Sequence, residues 1–209
     1  MSIDRTAPGE ELNTGAPTEP RQAATVIVLR GGGERIEVLL VKRNPASRFM
    51  GGAWVFPGGA VDSADGDDDR AHRVAGVREV EEEAGLRLPD ADALVPFARW
   101  ITPAQVRIRF DTHFFLASAP SGQEVRPDGE ETVDARWFTP QGALAAGEDG
   151  EIELVFPTIK NLEALSAFGS TDELLEWAQD RSVEPVEPQV VVEGEVARII
   201  MPGEPGYSA

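Results

Sequence analysis

The chain has 209 residues, no cysteine and a formal net charge of −18. Without thiols, neither a disulfide framework nor a thiolate metal site can be built. The acidic balance argues against nonspecific nucleic-acid binding, which needs a basic surface, and no apolar run reaches the length of a membrane span.

The length suits one domain with appendages, able to bury roughly 70% of its unfolded surface. No signal-peptide core is evident, so a cytoplasmic location is the expectation. Residues 1–22, rich in Pro, Gly, Glu and Thr, read as a disordered tail. Residues 24–29 form an apolar, β-branched run, the glycines at 31–33 turn the chain, and residues 36–42 follow as a second strand of a hairpin. A loop over 44–52 leads to a short strand at 53–56. Beyond a helical stretch described below, residues 94–101 read as a strand closed by Thr102 and Pro103. Residues 106–116 alternate. Ile108, Phe110, Thr112, Phe114 and Leu116 share one face, and Arg107, Arg109, Asp111 and His113 the other.

Residues 134–138 read as another strand and 140–146 as a short helix. Two helices are expected over 158–168 and 171–180, joined at Gly169 and Ser170. A proline-punctuated linker spans 182–188. A hairpin is expected from 190–192 and 195–200 through Glu193 and Gly194. Strands and helices mix without a βαβ rhythm, so the expected class is α+β. Residues 146–209 are expected as a C-terminal helical and hairpin extension packed on the core.

The chemistry concentrates between residues 56 and 86. Phe56-Pro57-Gly58-Gly59 is a tight glycine turn that lets backbone carbonyls approach a ligand. Ala71, Val74, Val77, Val80 and Ala84 recur at helical spacing, and Gly85 stops the helix. At about 100° per residue, Glu79, Glu82 and Glu83 fall on one face while Glu81 points away. Like charges at these spacings repel. They also sit near the helix C-terminus, where the macrodipole disfavours them. Arg78, four residues before Glu82, offsets part of this. A divalent cation would compensate the rest, and oxygen-only ligands suit Mg²⁺ or Mn²⁺. A solvated acidic face is the other reading of such a run.

The glycine turn followed by Arg-Glu-Val-Glu-Glu-Glu-Ala-Gly-Leu resembles the Nudix box, G-x5-E-x7-R-E-U-x-E-E-x-G-U, with U an apolar residue. Gly59, Arg78, Glu79, Val80, Glu82, Glu83, Gly85 and Leu86 match it. The first acidic position falls on Asp65, and twelve residues rather than seven separate it from Arg78. The excess, residues 66–70, reads as a longer loop, with Asp67, Asp68 or Asp69 as the helix N-cap. Residues 48–62, 99–103 and 109–115 are similar to the branch that contains the peroxisomal coenzyme A diphosphatases.

The resemblance implies an α/β/α sandwich with a mixed sheet, covering about residues 23–145 as the core. It also implies a metal-dependent pyrophosphohydrolase acting on a small-molecule nucleoside diphosphate linked to another group X, with coenzyme A or acyl-coenzyme A among the expectations. Gly59, Glu79, Glu82 and Glu83 would hold Mg²⁺ or Mn²⁺. Glu82, Glu79, Arg78 and Glu131 are the candidate catalytic set, with Glu130 in reserve for Glu131. Arg43, Arg48 and Arg109 are candidates for phosphate oxygens, for which guanidinium is well shaped. Trp54 is a candidate for base stacking, against burial in the core as the other reading. No nucleic-acid or membrane partner is expected, and a homodimer is left open. A noncatalytic nucleotide-binding or regulatory module of Nudix type is the alternative function.

Overall fold

The computed structural model describes residues 12–13, 15–68, 70–193 and 196–208. The central strand is β1 (Arg21–Arg30). Ala24, Val26 and Val28 point to one face of the sheet and Ile27 and Leu29 to the other, all fully buried. A strand covered on both faces needs such a continuous apolar run. The others are β2 (Glu37–Arg43), β3 (Trp54–Val55), β4 (Gly58–Ala60), β5 (Val95–Ile101), β6 (Phe110–Ser118), β7 (Thr132–Phe138) and β8 (Pro185–Val186). The sheet runs β3-β2-β1-β6-β5-β8, with β4 on β1 and β7 on β2.

The sheet is mixed. β1 pairs β6 in parallel from Arg21 to Leu29, but pairs β4 and β2 antiparallel. Only Leu29 and Arg30 meet β2, opposite Val38 and Glu37. The expected hairpin is therefore a hinge, because β4 occupies the rest of that edge of β1. Below the sheet, α1 (Ala71–Ala84) packs with Ala24, Val26, Val28, Leu39 and Val41. Above it, α2 (Pro140–Glu148), α3 (Phe156–Leu165) and α4 (Thr171–Gln179) cover Ile27, Leu29, Val38 and Leu40. This is the α+β class expected from the mix of strands and helices, in the α/β/α arrangement that the resemblance implied. Thr139 and Ser170 cap α2 and α4 by accepting the N–H of Gly142 and Glu173. Among the described residues no helix is long and apolar enough to cross a membrane.

Three expectations change here. Of the segment 1–22, residues 1–11 and 14 lie outside the described residues. Leu12 bridges Val106, the Asn13 N–H donates to the Gln105 carbonyl, and Arg21 and Gln22 already belong to β1. The stretch 106–116 becomes a strand only at Phe110, since its first residues turn to meet Leu12. Within the expected linker 182–188, Pro185 and Val186 add β8 in parallel to β5, at the edge of the sheet, where proline is tolerated. The C-terminal hairpin is β9 (Gln189–Glu193) with β10 (Val196–Ile200), and Gly194 and Glu195 at its turn lie outside the described residues.

Candidate active site

The site forms where α1 crosses β4. Small residues allow the approach. Ala75 and Gly76 are buried, and a Cβ on Gly76 would press on the Val26 side chain. Ala75 and Gly76 thus replace Val74 in the expected buried stripe. Gly85 ends the helix in the left-handed region (φ 68°), donating its N–H to the Glu81 carbonyl. At the other end the N-cap position falls on Arg70 and, among the described residues, no side chain caps the helix, so the expected aspartate cap is not made. The Asp68 side chain accepts only the Arg70 N–H at 2.9 Å, ahead of the first helical turn, and Asp69 lies outside the described residues.

Helical spacing sorts the glutamates. Glu79 and Glu83 turn inward and are buried. Glu82 stands at the rim with 57% of its side chain exposed, and Glu81 faces away and pairs with Arg87. Glu83 Oε2 accepts the Gly58 N–H at 3.0 Å. A Cβ on Gly59 would press on the Glu79 carboxylate, so a side chain there would make Glu79 shift.

Arg78 ties the group together. Its Nε and Nη2 donate to Asp65 Oδ1 and Oδ2 at 3.0 and 2.9 Å, a two-pronged pairing. Nη2 also reaches the Ala60 carbonyl, and Nη1 reaches Glu79 and Glu82 at 2.7 and 2.9 Å. Asp65 is buried, and the Arg78 guanidinium holds its carboxyl below the usual range. Asp65, whose role the long box insertion had left open, is therefore the anchor of Arg78. Its place at the first acidic position of the pattern was the signal.

Burial pushes Glu83 up to about 7, against the pull of the Gly58 N–H and Arg43. Burial also raises Glu79, against the pull of Arg78. The negative charge of Glu131 adds a smaller push in the same direction to both. Asp128 fixes the segment around Glu131 by accepting the N–H groups of Glu130, Glu131 and Thr132. Thr132 in turn donates its hydroxyl to the Glu83 carbonyl at 2.7 Å. The loop over 44–52 joins from the other side, with the Asn44 N–H on the Glu131 carbonyl. A register shift between Lys42 and Arg43 re-aims Arg43. Its Nη1 stands 3.9 Å from Glu83 Oε1, and its Nε donates to the Phe49 carbonyl. Asn44, Asp128 and Thr132 act here through backbone or orientation, and no residue-type signal marked them; Gly58 was marked by the glycine pair, but for its carbonyl rather than its N–H.

Three comparisons bear on this cluster. The NUDIX domain model matches residues 19–157, well over half of the 209 residues. The chain belongs to the Nudix family. A NUDIX hydrolase from Alicyclobacillus acidocaldarius superposes with a TM-score of 0.68 at 30% identity, covering 76% of this chain and 96% of that one. A Caenorhabditis elegans protein called nudix hydrolase 7 is 28% identical over 180 residues, 70% of this chain and 60% of its own length. The human acyl-coenzyme A diphosphatase NUDT19 is 23% identical over 304 aligned positions, 91% of this chain and 81% of its own. This chain thus spans less than two thirds of the nematode relative.

Within the Nudix frame, two candidate substrate contacts are displaced. Trp54 is 3% exposed and packs edge-on against Phe138, with Arg136 over its ring. It is a core residue, since its position on β3 points into the upper layer. Arg109 is equally unavailable. Buried, it donates to the Thr102 and Thr18 carbonyls and to Glu187 at 2.6 Å, so it clamps the chain's two ends to β6. Arg48 is exposed on the loop over 44–52. His72 and His113 stack on each other with centroids 4.0 Å apart, and burial, before the nearby His72 and Arg99, lowers His113 to about 4.

Among the described residues, no three carboxylate or imidazole groups converge on one point as the side chains stand. Arg78 stands between Glu79 and Glu82, and Gly58 takes an oxygen of Glu83. The donor set nevertheless fits a hard divalent ion. Burial raises the pKa of two carboxylates despite Arg78 beside Glu79 and Arg43 near Glu83, and all donors are oxygen.

Asp65→Asn tests the anchor. It keeps shape but removes the charge and turns one acceptor into a donor facing Arg78. The expected loss is roughly 2 kcal/mol, read as several degrees in Tm. An unchanged melting curve would mean that Glu79, Glu82 and the Ala60 carbonyl suffice to hold Arg78.

Proposed function

We propose that this chain hydrolyses a phosphoric anhydride bond in a small nucleoside diphosphate linked to another group X. Coenzyme A and its thioesters are our choice for that compound. The observation that carries the reading is the buried pair Glu79 and Glu83 against Gly58 and Gly59, with Glu131 and Glu82 at its rim. Gly59, Glu79, Glu82 and Glu83 would hold Mg²⁺ or Mn²⁺. When bound, such an ion screens the phosphate charge and makes a nearby water more acidic.

The remaining roles belong to the chain. Arg78, fixed by Asp65, keeps Glu79 and Glu82 oriented, as an outer partner does for a ligating carboxylate. Glu131 accepts the proton of the attacking water. Arg43, on the rim between Phe49 and Glu83, and Arg48, on the exposed loop, meet phosphate oxygens. The surface acidity is compatible with an anionic substrate because the local positive charge comes from these arginines and the ion. The coenzyme A choice draws on the likeness to the human acyl-coenzyme A diphosphatase and on residues 48–62.

A screen of coenzyme A, acyl-coenzyme A, ADP-ribose, NADH, diadenosine polyphosphates and nucleotide sugars with each metal tests this. Coenzyme A should yield 4′-phosphopantetheine and 3′,5′-ADP. Rates a hundredfold higher for ADP-ribose or a dinucleotide would remove the coenzyme A assignment. No phosphate-containing product from any compound would favour the noncatalytic binding module.

A further inference from the structure

An apolar cavity of about 120 Å³ lies beside the site, on the face of the sheet opposite α1. Its walls come from every part of the chain. Phe49 and Met50 contribute from the loop over 44–52, Trp100 from β5, and Phe114 from β6; the expected glycine turn at 58–59 is itself strand β4. Phe156 opens α3, and Val190 lies on the C-terminal hairpin. No lining residue is charged. The few polar groups are mostly engaged elsewhere. The Trp100 indole donates to Asn161, and the Thr102 hydroxyl accepts the Phe110 N–H.

This lining selects among the parts of a nucleotide-linked substrate. A nucleobase carries ring nitrogens and an exocyclic amine or carbonyl, and these would go unpaired in such walls at a cost of several kcal/mol. A phosphate or sugar would fare worse. A hydrocarbon has nothing to leave unpaired and gains by leaving water. The size sets a scale, since a dry protein cavity of about 150 Å³ takes a benzene ring. A tail of about six carbons is the corresponding occupant.

The cavity is also tied to the glutamate cluster. Thr25 on β1 faces Gly58 on one side and Phe114 on the other. Ala23 likewise stands between Ala60 and Thr112, another lining residue. Two strand spacings are roughly 10 Å. Arg43 makes a second link, since it donates to the carbonyl of Phe49 and faces Glu83. A substrate reaching both places therefore needs a spacer of at least about that length between its phosphates and its tail.

We propose that this cavity binds the hydrocarbon tail of X, so that the preferred substrate is a nucleoside diphosphate bearing a short acyl chain on a long polar arm. The proposal rests on the hydrolase reading but is separable from it. The C-terminal hairpin, which lies outside the span matched by the family model, supplies part of the pocket wall. It thereby acquires a role in specificity.

The experiment uses the full chain carrying Glu82→Gln, so that binding is read without turnover. Calorimetry compares coenzyme A with its acetyl, butanoyl, hexanoyl and dodecanoyl thioesters. Affinity should rise roughly two- to fourfold per methylene up to about six carbons and then level off. Val190→Phe, which fills the cavity, should abolish the rise. Phe156→Ala, which enlarges it, should move the plateau to longer chains. If one variant does not fold, the other still reports. A flat series with coenzyme A bound overturns the tail pocket and leaves the hydrolase reading intact. Absence of binding by every thioester also overturns it. A rising series in a protein that hydrolyses no compound of the screen would support the pocket while sinking the hydrolase reading.

Discussion

Glu82→Gln should lower turnover by roughly 10²–10⁴ at saturating Mg²⁺, the range expected for loss of a metal-ligand or acid–base group. Glu81→Gln, its neighbour in sequence, should change the rate by less than about threefold. The two side chains are similarly exposed, at 57% and 49%, and each forms one arginine pair. Exposure and charge therefore do not separate them, and direction does. Glu82 leans with Arg78 toward the Glu79 side of α1, while Glu81 leans toward Arg87 beyond the helix end. Without metal, both variants should melt within about 2 °C of the parent, because exposed ion pairs contribute about 1 kcal/mol at most. Equal losses of activity at both positions would mean that the cation is not held by this face of the helix.

The fold was legible where one principle governed a segment. β1 and β2 carry β-branched runs, α2 and α4 begin on Thr139 and Ser170, and Gly85 stops α1. In each case local chemistry and tertiary packing agree. The errors lie where a distant segment decided the outcome. Residues 106–108 alternate like a strand, yet Leu12 pulls Val106 into an isolated bridge. Pro185 reads as linker, yet the edge of β5 was open to it. The partial pairing of β1 with β2 was likewise invisible, since β4 is three residues long and glycine-rich.

The site shows the same division. Helical spacing alone separated Glu79, Glu82 and Glu83 from Glu81, because the period of an α-helix is fixed. It could not say that Asp65, thirteen residues upstream, would return to grip Arg78. That contact depends on the short helix Ser63–Asp65, where Asp65 also accepts the Asp62 N–H. Arg109 and Trp54 misled for a common reason. A guanidinium and an indole suit both a ligand and a buried scaffold, and residue type does not distinguish them. The three partners of Arg109 come from residues 18, 102 and 187, a convergence that only the folded chain reveals.

In the absence of divalent metal, this protein should lose stability as the pH rises through the window between about 4.5 and 7, and Glu83→Gln should remove much of that loss. The ordinary glutamate value is 4.5, and burial raises Glu83 to about 7. Between those values the folded state holds a proton that the unfolded state has released. The folded state thus binds more protons, and stability falls with increasing pH. Below the window Glu83 is neutral in both states and costs nothing. Above it the buried charge imposes its full penalty, roughly 3 kcal/mol for a shift of this size. Glu79 is raised in the same direction and adds to the slope. Gln has the same shape, can still accept the Gly58 N–H and never ionises. The difference in Tm between variant and parent should therefore be near zero at pH 4 and grow to roughly 5–10 °C in favour of the variant by pH 8. Taking the difference cancels groups such as Asp65 and Asp111, whose lowered values act at the acid end in both proteins. Mn²⁺ at pH 8 should then stabilise the parent more than the variant, since the ion adds positive charge beside the buried pair. A difference that stays flat from pH 4 to 8 would show that Glu83 ionises without penalty. The strain that favours a cation at this site would then have to lie elsewhere.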